Sequence, residues 1–292
     1  RRATIAFTDD WREDAARRDF TINALYADPE TGELFDYFGG EQDLASGLVR
    51  FIGEPLQRIA EDHLRILRFF RFHARFGKGQ PDPASLNACT ERANDLMALS
   101  RERIADELLK LLALPSPVGT VRLMLSHGIL VPVLPEITES EGLAALIQIE
   151  DAPDPVRRLA SLLPASTDTA DAVAKRLKLS KSANKRLVLA AERTGEDAGN
   201  PRALAYRVGL EAARDRLFLG GHSDSIAALE HWAVPQFPLT GGAFVARGIH
   251  AGPDVARLLR QTEAQWIAEG FPDRSRVEAI ADTMVADETK RG

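Results

Sequence analysis

From Pro55 onward, apolar residues recur at the three- and four-residue spacing of amphipathic helices. The pattern predicts helices at about 55–77, 83–98, 100–113, 117–127, 155–163, 168–178, 181–193, 201–218 and 223–231. Two more are expected at 253–269 and 274–288, set apart by Pro235, Pro238 and the Gly241-Gly242 pair. Ahead of Pro55 the period changes. Ala3 to Thr8 alternates with period two, Asp28-Pro29-Glu30-Thr31-Gly32 has the composition of a hairpin turn, and Leu48 to Ile52 is apolar and β-prone. The fold class that follows is mainly α with a small β-rich N-terminal part. A few short strands bury too little to stand alone, so the rest of that sheet is expected before Arg1. The acidic, proline-bearing stretch from Glu139 to Pro155 is the best boundary within the helical part, giving spans 1–53, 54–138 and 139–292. No fixed-period repeat suggests a solenoid.

Composition changes this picture little. A chain of 292 residues allows two or three packed units, and 45% hydrophobic with 27% charged residues is ordinary for a globular protein. The single cysteine, Cys89, excludes an internal disulfide, and no apolar run approaches the ~18 residues of a membrane span. A reducing, cytoplasmic compartment with no membrane partner is expected, and no signal-peptide pattern opens the chain. The first residue is Arg1, not Met, which reads as a fragment.

Charge changes the picture more. The net charge of -6 argues against a protein that coats nucleic acid indiscriminately. Yet between Arg50 and Lys78 seven basic residues face three acids, so an anionic partner is expected beside this segment. Within it, Arg65, Arg68 and Arg71 recur every third residue and cover a stripe about 120° wide on one predicted helix. After Asp62 no acid appears until Asp82 to balance them. Asp62 and Arg65 lie one turn apart, an acceptor and a donor fork able to meet the edge of a nucleobase; an internal pair on a solvated face is the plainer alternative. Arg17-Arg18-Asp19-Phe20-Thr21-Ile22-Asn23-Ala24 packs guanidinium, carboxylate and amide groups before an apolar strand. Arginine forks suit phosphate oxygens, while Asp19 or Asn23 can accept from a ribose hydroxyl; a solvated loop is the alternative here. Farther on, Lys175, Arg176, Lys178, Lys181, Lys185 and Arg186 form a dense basic run suited to an RNA backbone or to solvent.

These segments together carry a family resemblance. Arg17 to Ala24 resembles the RRDxTxNA motif of class II tRNA nucleotidyltransferases and bacterial poly(A) polymerases, and Glu61-Asp62-His63-Leu64-Arg65 resembles their EDxxR motif. Asp36, Gly40, Asp43, Leu44, Arg50 and Gly53 are similar to the segment connecting the two, and Arg103 to Leu108 is similar to the following RIxxEL segment. Weaker likeness at Pro238-Leu239-Thr240-Gly241 and Trp266-Ile267 extends almost to the end. The resemblance implies a head, neck, body and tail arrangement, with residues 1–53 the end of a nucleotidyltransferase head, 54–138 the neck and 139–292 the body and tail. It implies that Arg18 contacts a triphosphate, with Arg17 supporting, and that Asp19, with Asn23 supporting, monitors the ribose. Asp62 and Arg65 would pair with CTP or ATP in place of a template, Arg68 and Arg71 would complete the pocket, and Glu107 would brace the helix.

The implied activity is template-independent addition of CCA to tRNA 3′ ends with Mg²⁺, CTP and ATP, and tRNA is the expected partner. The alternatives are a poly(A) polymerase, a partial CC- or A-adding enzyme, or a non-catalytic helical RNA-binding protein. The glycine-rich GGxVRD segment and the Asp-x-Asp metal ligands of the family have no counterpart in residues 1–16, so the chain as it stands is expected to bind without catalysing. His63, His73, His127, His222, His231 and His250 have no ligand spacing, and no metal ligands are assigned in the chain.

Overall fold

The computed structural model describes residues 10–289, so the alternating stretch from Ala3 to Thr8 lies outside the described residues. The chain divides into two compact units, Arg1–Glu192 and Arg193–Gly292. The stretch from 139 to 155 falls inside the first unit.

The first unit opens with α1 (Trp11–Ala16), started by Asp10, whose carboxylate accepts from the backbone N–H groups of Arg12 and Glu13. A single 3-10 turn over Thr21–Asn23 leads into β1 (Leu25–Ala27), which pairs antiparallel with β2 (Leu34–Asp36). Between them the carboxylate of Asp28 accepts from the N–H groups of Glu30 and Thr31, which closes the expected hairpin turn. Leu48 to Ile52 is not a full strand. It makes one antiparallel bridge, Phe51 against Phe20, with Ile52 N–H donating to Asp19 C=O and Thr21 N–H to Arg50 C=O. Ahead of it, α2 (Gly40–Ser46) starts so close to Thr21 that a Cβ on Gly40 would lie 2.2 Å from the Thr21 carbonyl oxygen. Only glycine fits that approach.

The helix expected over 55–77 is two helices, α3 (Pro55–Glu61) and α4 (Arg65–Phe76). Asp62 breaks it, with extended φ/ψ of -153°/107°; its carboxylate accepts from Leu64 N–H and its carbonyl from Arg65 N–H. An aspartate that competes for backbone donors is a helix starter, and here it starts α4. Ile66, Leu67, Phe69 and Phe70 of α4 are buried and pack toward α6 (Arg101–Leu112) and α7 (Val118–Ser126). Each such side chain contributes roughly 1.5–3 kcal/mol of burial, which fixes the orientation of α4 and hence of its polar face. The segment expected as one helix over 83–98 is α5 (Pro83–Glu91) followed by a 3-10 stretch over Ala93–Ala98. The unit continues with α8 (Glu141–Ile149), α9 (Pro155–Ser161), α10 (Thr167–Arg176) and α11 (Lys181–Ala191).

In the second unit the run expected over 201–218 is likewise two helices, α12 (Pro201–Val208) and α13 (Leu210–Leu219), parted by Gly209 at φ +90°. The pattern at 223–231 is a 3-10 stretch, Ser223–Leu229. After α14 (Gly241–Val245), α15 (Pro253–Ala268) and α16 (Arg274–Thr289) close on a core of Leu239, Phe244, Leu258, Trp266 and Val277.

Candidate functional site

Four carboxylates and five guanidiniums converge where the Arg17–Asp19 loop, the α3–α4 break and one face of α6 meet. Burial of α4's apolar face turns Arg68 and Arg71 toward Asp19 and Glu107. Asp19 is 6% exposed and Glu107 4%. Arg68 donates through Nε to Asp19, and Asn23 donates to the other Asp19 oxygen at 2.9 Å. Burial pushes the Asp19 carboxyl up, but the hydrogen bonds from Arg68 and Asn23 outweigh it and hold it below the ordinary value. Arg71 donates through Nε to Glu107 at 2.6 Å, and Arg68 Nη1 lies 3.9 Å from the same carboxylate. The aromatic rings of Phe20, Phe51, Phe69 and Phe72 pack beneath this network.

The internal Asp62–Arg65 pair, the plainer alternative, does not form, because the helix breaks between them. Asp62 accepts instead from Arg103 Nη2 on α6 at 2.7 Å. Burial raises the Asp62 carboxyl, and hydrogen bonds from Arg103 and Leu64 N–H more than reverse this, so it stays ionised and an acceptor at neutral pH. Arg65 gives Nη1 to Glu61 at 2.5 Å and to Arg58 C=O at 2.8 Å, and Nη2 to Arg17 C=O at 3.3 Å. Arg58 donates to Glu61 and to the carbonyls of Arg17 and Arg18. Together Arg58 and Arg65 clip the loop carrying Arg18 and Asp19 onto the helices. Arg17 and Arg18 themselves are half exposed and pair with Glu13 and Asp14 on α1.

Sequence reasoning counted acids only along the helix and took the arginine stripe as unbalanced, whereas Asp19 and Glu107 balance it from distant positions. It also missed Arg58, Glu61 and Arg103 as parts of the cluster. Arg103 precedes Glu107 by one turn on α6, a spacing that puts both on one face and was readable once α6 was set against α4.

The basic run of α10 and α11 is largely engaged. Lys175 meets Asp171, Arg176 makes a two-pronged contact with Glu136 at 2.6 and 2.8 Å, Lys178 meets Glu102, and Arg186 meets Asp154. Lys181 and Lys185, both exposed, have no ion-pair partner among the described residues. Cys89 is buried, and burial pushes its thiol up, away from nucleophilic reactivity. Among the described residues no three His, Cys, Asp or Glu side chains gather as metal ligands. No helix among them is long and apolar enough to cross a membrane.

Comparison with known proteins shows what the chain is similar to. The family model described as "Poly A polymerase head domain" matches residues 1–50, and the one described as "Probable RNA and SrmB- binding site of polymerase A" matches 80–141. The human protein named "CCA tRNA nucleotidyltransferase 1, mitochondrial" is 35% identical over 299 residues, covering 93% of this chain and 66% of its own length. Poly(A) polymerase I of Haemophilus influenzae is 40% identical over 126 residues, 43% of this chain and 28% of its own. Among solved structures, the Bacillus stearothermophilus CCA-adding enzyme in complex with CTP aligns over 98% of this chain and 77% of its own with a TM-score of 0.77; at 22% identity it shows the shared fold. The chain belongs to the family of CCA tRNA nucleotidyltransferases and poly(A) polymerases. It spans about two thirds of the length of the mammalian relatives it matches.

Proposed function

We propose that this chain selects CTP and ATP for template-independent addition of CCA to tRNA 3′ ends. The observation that carries the reading is the way Arg68 and Arg71 are held. Each is anchored to a buried carboxylate through Nε, and among the described residues no hydrogen bond uses the terminal nitrogens of either. Such forks are pre-oriented for phosphate oxygens at little further entropic cost. Asp62, kept ionised beside them, supplies the acceptor for an exocyclic amine of the base, with Asp19 and Asn23 on the ribose side. Arg18 reaches the triphosphate if it leaves Asp14. Arg65, with Nη1 engaged by α3 and Nη2 by the loop, acts on the base through Nε or by exchanging partners. Glu107 holds Arg71 in place.

The reaction joins the tRNA 3′-hydroxyl oxygen to the α-phosphorus and releases pyrophosphate. Mg²⁺ is the proposed cofactor and would supply charge neutralisation and activation of that hydroxyl. No described residue is assigned to it, and the chain by itself is proposed to bind nucleotide and RNA without transferring. The cytoplasm is the proposed compartment; the name of the human relative places that protein in mitochondria.

The local identity to poly(A) polymerase I favours a second reading, processive addition of AMP. Incubating the intact enzyme and tRNA lacking its end with CTP, ATP or both decides between them. Addition of two C residues and one A is expected, and a long homopolymer from ATP alone would overturn the CCA reading. No transfer by any combination would favour a non-catalytic RNA-binding protein.

RNA is proposed to lie along α11, where Lys181 and Lys185 are unspent. Replacing both by alanine is expected to weaken tRNA binding and to lower the slope of log affinity against log salt by roughly 1–2. An unchanged slope in a filter-binding salt series would discard the site.

A further inference from the structure

We propose that Phe72 is a positioning residue that holds the guanidiniums of Arg68 and Arg71 in place without consuming their hydrogen-bond donors. The inference rests on the nucleotide reading of those two arginines. Arg71 lies over the Phe72 ring with its central carbon 4.8 Å from the centroid, and Arg68 lies over the same ring at 5.4 Å. Two like charges therefore share one aromatic support. Phe72 is itself fixed by Phe20 at 5.0 Å, the neighbour of Asp19, and by Phe76 at 5.8 Å.

The chemistry explains why a ring serves here. A second carboxylate would hold each guanidinium as well, but it would occupy the terminal N–H groups and cancel the positive charge that attracts an anion. The face of a benzene ring carries the negative part of a quadrupole, attracts a cation within about 6 Å, and competes for its N–H groups far more weakly than a carboxylate does. Asp19 and Glu107 thus fix one edge of each fork through Nε, and Phe72 supports the faces. The remaining N–H groups stay available. An aliphatic side chain of similar volume would fill the same space without this attraction, leaving Arg71 anchored through Nε alone and Arg68 held only by Asp19 and the more distant Glu107.

The test separates ring electrostatics from packing. Phenylalanine at position 72 is replaced by mono-, di- and trifluorophenylalanine, which weaken the quadrupole stepwise at nearly constant shape, and by Leu and Tyr. Binding of ATP and of inorganic tripolyphosphate to the whole chain is measured by calorimetry beside thermal melting. Affinity is expected to fall with each fluorine, to drop about 5- to 30-fold in Phe72→Leu, and to return to within about 2-fold of the parent in Phe72→Tyr. Melting should stay level across the fluorinated series. Should Phe72→Leu fail to fold, the fluorinated series still decides. Affinity that stays flat with fluorination, while Arg68→Met and Arg71→Met both weaken binding, overturns the role of Phe72 and leaves the nucleotide reading standing. Unchanged binding in the two arginine variants overturns that reading and this inference with it.

Discussion

Replacing Arg158 by methionine is expected to lower the unfolding free energy at pH 7 by about 3–5 kcal/mol, the scale on which a buried charge loses its partner. Arg158 is 2% exposed, its Nε donates to Glu150 at 2.6 Å, and its Nη1 donates to the carbonyls of Leu112 and Leu114 where α6 ends. One side chain therefore satisfies orphan carbonyls of one helix and the carboxylate at the end of α8. Methionine fills much of the volume and removes every donor. Arg157 stays 3.6 Å from the other Glu150 oxygen and limits the loss.

The pH dependence of this deficit follows from Glu150, whose carboxyl burial pushes above 4.5 despite the attraction of both arginines. A raised carboxyl contributes stability that is present below its unfolded pKa and lost as pH rises through the folded value. Without Arg158 the folded value rises further, because the group that favoured the ionised form is gone. The difference between wild type and variant should therefore be largest at pH 7 and shrink toward pH 4.5, where a protonated Glu150 needs no cation. Urea unfolding at the two pH values measures it. A deficit below about 1 kcal/mol, or one independent of pH, would show that the pair is not the brace described here.

Helices α6, α7, α9, α10, α11, α15 and α16 are legible in the sequence because apolar spacing and start signals agree, as at α9, where Asp154 and Pro155 stand at the first positions. Two of the missed breaks share one physical reason. Asp62 and Gly209 interrupt runs whose hydrophobic period continues across them, so the period alone joins what local backbone chemistry divides. The short helix α8 is passed over because it lies between acidic and proline-bearing ends that read as a linker, although Leu143 and Leu146 are buried. The candidate site is legible as a list of residues and not as a set of partnerships. The bonds Arg68 to Asp19, Arg71 to Glu107 and Arg103 to Asp62 each span 36 to 49 positions, and counting neighbours one turn away cannot find them.

The partnership at Asp62 changes what its substitution should do. Had Asp62 and Arg65 been each other's counter-ions, removing one would have released the other. Instead Asp62 is held by Arg103 and by the N–H of Leu64, with one lone pair on each oxygen still available to a ligand. Cytosine and adenine present an exocyclic amine at the edge where guanine and uracil present a carbonyl, so an ionised Asp62 attracts the first two and repels the others. Asp62→Ala is expected to weaken CTP and ATP binding by roughly ten- to a hundredfold, the worth of a hydrogen bond to a charged acceptor, while GTP and UTP binding changes little. It should also cost about 1 kcal/mol of stability through the lost start of α4, which Asp62→Asn should largely restore. The asparagine amide can turn its N–H groups toward a carbonyl, so this second variant is expected to admit GTP and UTP while folding as well as the parent. Equilibrium binding of all four nucleotides to parent and variants, with melting temperatures beside them, tests both expectations. Preference for CTP and ATP that survives in both variants would mean that the base is read away from Asp62.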